Sequence, residues 1–80
     1  MDRKEYLELC HIVSCLPEGA LGIKKGIKDE HCVVYDGVKY YPIGYKMGFK
    51  SGTVRHTAVL HSVGANSVVE VELKKVEKYL

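Results

Sequence analysis

Apolar positions recur along this chain first with the periodicity of a helix and then with that of strands. Tyr6, Leu9, Cys10 and Val13 stand at i, i+3, i+4 and i+7, one face of an α-helix, while Arg3, Glu5, Glu8 and Ser14 lie largely off it. Asp2 and Glu5 have the spacing of a capping box, in which the Asp2 carboxylate accepts the Glu5 amide and Glu5 reaches back to the amide of Asp2. Pro17 and Gly19 stop the helix, one by ring clash and the other by backbone freedom. The pattern predicts a helix over about residues 2–15.

Residues 17–30 hold three glycines and scattered lysines without periodicity, and read as a loop that Ile23 and Ile27 tack to the core. Beyond it the period changes. Cys32-Val33-Val34-Tyr35 and Val38-Lys39-Tyr40-Tyr41 flank Asp36-Gly37, the signature of a type I′ hairpin. Pro42 cannot donate to a ladder, so with Gly44 it marks a bend or bulge. Tyr45, Met47 and Phe49 alternate with Lys46, Gly48 and Lys50, and Ser51-Gly52 turns the chain into a strand over 54–61. A two-residue turn there sets Lys50 opposite Thr53, Phe49 opposite Val54, Met47 opposite His56 and Tyr45 opposite Ala58. One sheet face then carries Tyr45, Met47, Phe49, Val54, His56, Ala58 and Leu60, and the other Lys46, Lys50, Arg55, Thr57, Val59 and His61.

Gly64-Ala65-Asn66 turns the chain again. The end fits two periods. Val69, Val71 and Leu73 alternate as a strand, whereas Val69, Leu73, Val76 and Leu80 repeat as a helix. The expectation is a strand from about Ser67 to Glu72, followed by a short helical turn through Val76 to Tyr79. The fold class is α+β, in one domain over residues 1–80. An N-terminal helix packs on a strongly bent four- to five-stranded antiparallel sheet, with closure into an SH3-like barrel as its limiting form.

Size bounds what such a fold can do. A chain of 80 residues buries only about 60% of the surface it exposes when unfolded, so a homodimer would help it and a concave catalytic pocket is hard to fit. Hydrophobic residues make up 46% and charged residues 28%, which places the chain among globular domains and not disordered ones. Apolar runs are too short for a membrane span. Met1-Asp2-Arg3-Lys4-Glu5 contains no apolar stretch of a signal peptide, so the expected compartment is the cytoplasm. Cys10, Cys15 and Cys32 are odd in number and lack framework spacing, which points to reduced, largely buried thiols.

Charge is distributed unevenly. Residues 1–36 carry five basic and seven acidic side chains, whereas residues 37–69 carry Lys39, Lys46, Lys50 and Arg55 with no Asp or Glu. Lys46, Lys50 and Arg55, with His61 near them and Tyr40 and Tyr41 on the adjoining strand, form a candidate binding surface: cations for phosphate, rings for stacked bases. The same residues also fit a solvated face or a protein interface, since tyrosine is enriched in binding surfaces and lysine protects strand edges. His56 and His61 are five apart and point to opposite sides of a regular strand, so they cannot share one metal. His56 reads as a half-buried core histidine with a hydrogen-bond partner, and His61 as a surface residue. No zinc-ligand spacing, no paired His-x-Ser/Thr motif and no P-loop occur, and no cofactor or metal is expected.

In VKYYPIGYKMGF (38–49), VRHTAVLH (54–61) and ANSVVEVELKKVEKYL (65–80), and in RKEYLELC (3–10), the chain resembles a group of small accessory proteins from Firmicute phages and prophages. No functional residue is defined for that group. The resemblance implies a host cytoplasm and a protein that acts stoichiometrically on host machinery, as anti-CRISPR and other anti-defence inhibitors do. The expected function is therefore non-enzymatic binding of a host defence protein or its nucleotide signal. A nucleotide- or nucleic-acid-binding module using Tyr40, Tyr41, Lys46, Lys50, Arg55 and His61 is the alternative. A small Cys/His hydrolase is the third reading. An acidic DNA mimic does not fit a chain of net charge +2.

Overall fold

A computed structural model describes all of residues 1–80. Helix α1 spans Arg3–Ser14 and buries Tyr6, Leu9 and Val13, with Cys10 half-buried on the same face. The Asp2 carboxylate does cap it, but on the amide of Lys4 at 3.1 Å and not on that of Glu5. A short N-cap side chain reaches the second helical amide as readily as the third, so the cap forms without the reciprocal Glu5 bond. At the other end the amides of Cys15 and Leu16 bond back to Ile12 and Val13, tightening the last turn ahead of Pro17. The following segment is irregular, with short 3₁₀ turns at Ala20–Gly22 and Asp29–His31, and both Ile23 and Ile27 are partly covered.

Five strands follow: β1 Val33–Tyr35, β2 Val38–Lys50, β3 Thr53–Ser62, β4 Val68–Glu72 and β5 Glu77–Lys78. Their spatial order is β4-β3-β2-β1-β5, with every pairing antiparallel. Both two-residue turns hold left-handed backbones: φ is 51° and 75° at Asp36-Gly37, and 52° and 78° at Ser51-Gly52. The resulting register pairs Lys50 with Thr53, Phe49 with Val54, Met47 with His56 and Tyr45 with Ala58, as the alternation predicts. The stretches 38–41 and 45–50, read from sequence as separate strands, are one strand. Pro42 pairs with Leu60 and Gly44 with Val59, so Ile43 is the extra residue of a β-bulge.

The end of the chain departs further from expectation. A 3₁₀ turn occupies Leu73–Lys75, and the residues expected as a helical turn form β5 instead. Val76 is fully buried and the Tyr79 amide bonds to the Cys32 carbonyl, so pairing with β1 overrides the local helical period. The sheet stays open, with β4 and β5 at its edges, and no barrel closes.

Helix α1 covers one sheet face. Tyr6 and Leu9 join Val33, Ala58, Leu60, Leu73 and Val76 in the core. The Tyr6 hydroxyl donates to the Gly44 carbonyl at 2.6 Å and lies 3.2 Å from that of Val59, beside the bulge. Burial, reinforced by the neighbouring Cys10 thiol, holds this phenol protonated far above its ordinary range. No helix is long and apolar enough to cross a membrane.

Candidate functional site

The β2–β3 hairpin outruns everything that could cover it. β1 pairs with β2 only over Val38–Tyr40, and β4 pairs with β3 only from Thr57 onward. Residues 46–55 therefore form an arm whose every residue is exposed, and the molecule reaches 40 Å along its long axis against 24 and 22 Å across. Alternation continues past the end of the core, so the arm has an apolar side with nothing packed on it. Met47 is 56% exposed, Phe49 77% and Val54 42%. These three are the outer continuation of the face that carries Ala58 and Leu60 inside.

Each imidazole of this hairpin is taken up by a tyrosine, on opposite faces. At the base of the arm the Tyr45 hydroxyl hydrogen-bonds His56 Nδ1, and the two rings stack with centroids 5.9 Å apart and planes 17° apart. His56 is thus half-buried with a partner, as the sequence suggests. His61 is not the surface residue expected: it is only 5% exposed. It stacks on Tyr41, directly opposite in the ladder, at 5.0 Å and 19°. Its Nδ1 lies 2.7 Å from the Ser62 carbonyl, which can only accept, so that nitrogen carries the proton. The 17–24 segment closes over this pair: the Lys24 amide donates to the Tyr41 hydroxyl at 3.2 Å, and that hydroxyl lies 3.5 Å from the Gly22 carbonyl. A loop return of this kind leaves no periodic signal, which is why sequence left His61 outside.

The candidate binding residues are consequently divided. Tyr41 and His61 are buried beneath the loop. Tyr40, one position along β2, packs against the core on the other face. Lys46, Lys50 and Arg55 do share the outer face of the arm. Two of them meet carboxylates from β4: Lys46 Nζ lies 2.9 Å from Glu70, and Arg55 lies 3.9 Å from Glu72, which also holds Lys74 at 3.5 Å. Lys50 has no carboxylate partner. Lys39, the remaining base of the acid-free stretch, is held by Asp29 at 3.0 Å and lies over the Tyr79 ring. Its hydrogen bond to Asp29 raises its pKa. The alternation of Val and Glu over 69–72 is a signal for this pairing, because strands consecutive in sequence and joined by a short turn are neighbours in most sheets.

The nucleophile and ligand types stand apart. Cys32 is buried and its thiol donates to the Lys28 carbonyl at 3.3 Å, while Cys10 is half-buried near Gly44. Burial raises the pKa of both thiols. Cys15 is exposed, contrary to the expectation of largely buried cysteines, because it caps the helix on its solvent side. His31 accepts the Lys28 amide through Nδ1, and His11 lies exposed on α1. Nowhere do three His, Cys, Asp or Glu side chains gather as metal ligands would. Comparison with family models, with curated proteins and with solved structures gives no match to this chain.

Proposed function

We propose that this chain is a non-enzymatic binding protein that engages a protein partner stoichiometrically through its β2–β3 arm. The phage-type anti-defence inhibitor implied by the sequence resemblance is the setting we assign to it. One observation carries the reading: an ordered hairpin projects beyond the core and presents Met47, Phe49 and Val54 without cover. Large apolar side chains grouped on one exposed face are the mark of an interaction surface, whereas single scattered ones are not. A nucleotide- or nucleic-acid-binding role takes second place, since Glu70 and Glu72 engage Lys46 and Arg55 and Tyr41 is buried.

The test is plaque formation on a Firmicute host whose defence restricts a sensitive phage. Expression of the chain should restore plaques, and Met47→Asp combined with Phe49→Asp should abolish the rescue without lowering the Tm. Rescue that survives the double substitution, or its absence in every defence background tried, contradicts the proposal.

A further inference from the structure

One edge of the arm carries hydrogen-bonding groups that no element of the fold uses. Lys50 and Thr53 flank a two-residue turn, so they exchange both backbone hydrogen bonds, and so in turn do Gly48 with Arg55 and Lys46 with Thr57. The residues between them, Tyr45, Met47 and Phe49, direct their N–H and C=O groups away from β3. On that side β1 reaches no further than Tyr40. The amide of Ser62 bonding to Ser67 fixes the same parity from the far side of β3.

We propose that this free edge, residues 45–49 of β2, takes an extended peptide of alternating apolar and acidic residues as an added strand. The inference rests on the arm as the partner-binding surface and names the chemistry of what binds there. Strand addition supplies main-chain bonds to Tyr45, Met47 and Phe49, while the two faces of the arm select the side chains. Apolar residues of the added strand would lie beside Tyr45, Met47 and Phe49. Those between them would lie on the face of Lys46, which Glu70 already holds, and of Lys50, the one cation of the arm without a carboxylate.

The fold contains its own example of such a strand. In β4, Val69 and Val71 pack toward the core beside Leu60 and Ala58, while Glu70 and Glu72 reach Lys46 and Arg55 across the outer face. Lys50 is the cation left without a carboxylate. A second copy of the chain suits the edge less well. Antiparallel self-pairing about Gly48 sets Lys46 opposite the other copy's Lys50, and pairing about Met47 sets lysines of both copies diagonally side by side. Like charges so placed oppose edge-to-edge pairing.

The probe is a fluorescein-labelled peptide of alternating valine and glutamate, followed by anisotropy with the whole chain. Expected is saturable binding that disappears when the amides facing β2 are N-methylated or when lysine replaces each glutamate. Lys50→Glu should weaken it roughly three- to tenfold. N-methylation leaves the protein untouched, so that arm of the test does not depend on any variant folding. Absence of binding, or binding indifferent to N-methylation, overturns the proposal. So does sedimentation showing a dimer that Phe49→Asp dissociates, because a second copy then occupies the arm. If plaque rescue depends on the arm while the peptide fails, only the strand-adding chemistry is removed and the binding surface stands.

Discussion

At the residue scale, Tyr6, Cys32 and the half-buried Cys10, all of which ionise in the alkaline range, work in the same direction. Burial raises the pKa of Tyr6, Cys10 and Cys32, so the unfolded chain ionises at these groups before the folded one does. Their contribution is fully present below the ordinary thiol pKa and is lost as pH rises through and beyond it. The Tm should therefore decline as pH climbs past the thiol range, and a flat profile there would contradict the burial of these groups. Tyr6→Phe removes the donor to the Gly44 carbonyl and should lower stability by about 1–2 kcal/mol in urea denaturation. Exposure sorts the thiols too: brief iodoacetamide treatment of the native chain at neutral pH should alkylate Cys15, with Cys10 and Cys32 reacting after unfolding. Mass spectrometry reads this directly, and native adducts on Cys32 would mean that the 28–32 segment opens.

At the element scale, legibility followed locality. The α1 face, the Asp36-Gly37 and Ser51-Gly52 turns, the bulge near Pro42 and the pairing of Met47 with His56 all depend on residues close in sequence, and each could be read from them. What escaped depends on distant parts of the chain meeting. The burial of His61 needs the 17–24 loop, β5 needs β1, and the quenching of Lys46 and Arg55 needs β4. Lys46, Lys50 and Arg55 do share one face, but β4 brings carboxylates to two of the three, Lys46 and Arg55. Two predictions belong here. Gly52→Ala forces a side chain into a left-handed backbone and should cost about 1 kcal/mol, loosening the arm. Glu70→Gln with Glu72→Gln frees Lys46 and Arg55. It should raise retention on heparin at low salt, whereas unchanged retention would show that these ion pairs do not govern the face.

At the scale of the whole molecule, the sheet has a covered part and an uncovered part. Where α1, the 17–24 loop, β4 and the 3₁₀ turn at Leu73–Lys75 overlap, side chains are buried and every buried side-chain nitrogen or oxygen has a hydrogen-bond partner. From Lys46 to Arg55 no element buries the hairpin, and residues that the same alternation would place in a core stand exposed. A small domain that keeps Phe49 and Met47 outside its core forgoes apolar burial that it could use, a cost that the proposed binding role accounts for. Lys50, which has no carboxylate partner, opposes the pairing of two such edges, as the proposal of a peptide occupant requires.

The arm has one satisfied edge and one open edge, and amide hydrogen exchange resolved by NMR distinguishes them residue by residue. The amides of Lys46, Gly48 and Lys50, bonded to β3, should be protected, and those of Tyr45, Met47 and Phe49 should exchange far faster, alternating residue by residue. Uniform protection along residues 45–50 would mean that something already covers the edge. Uniformly fast exchange would mean that the arm is not formed, and either result would contradict the account.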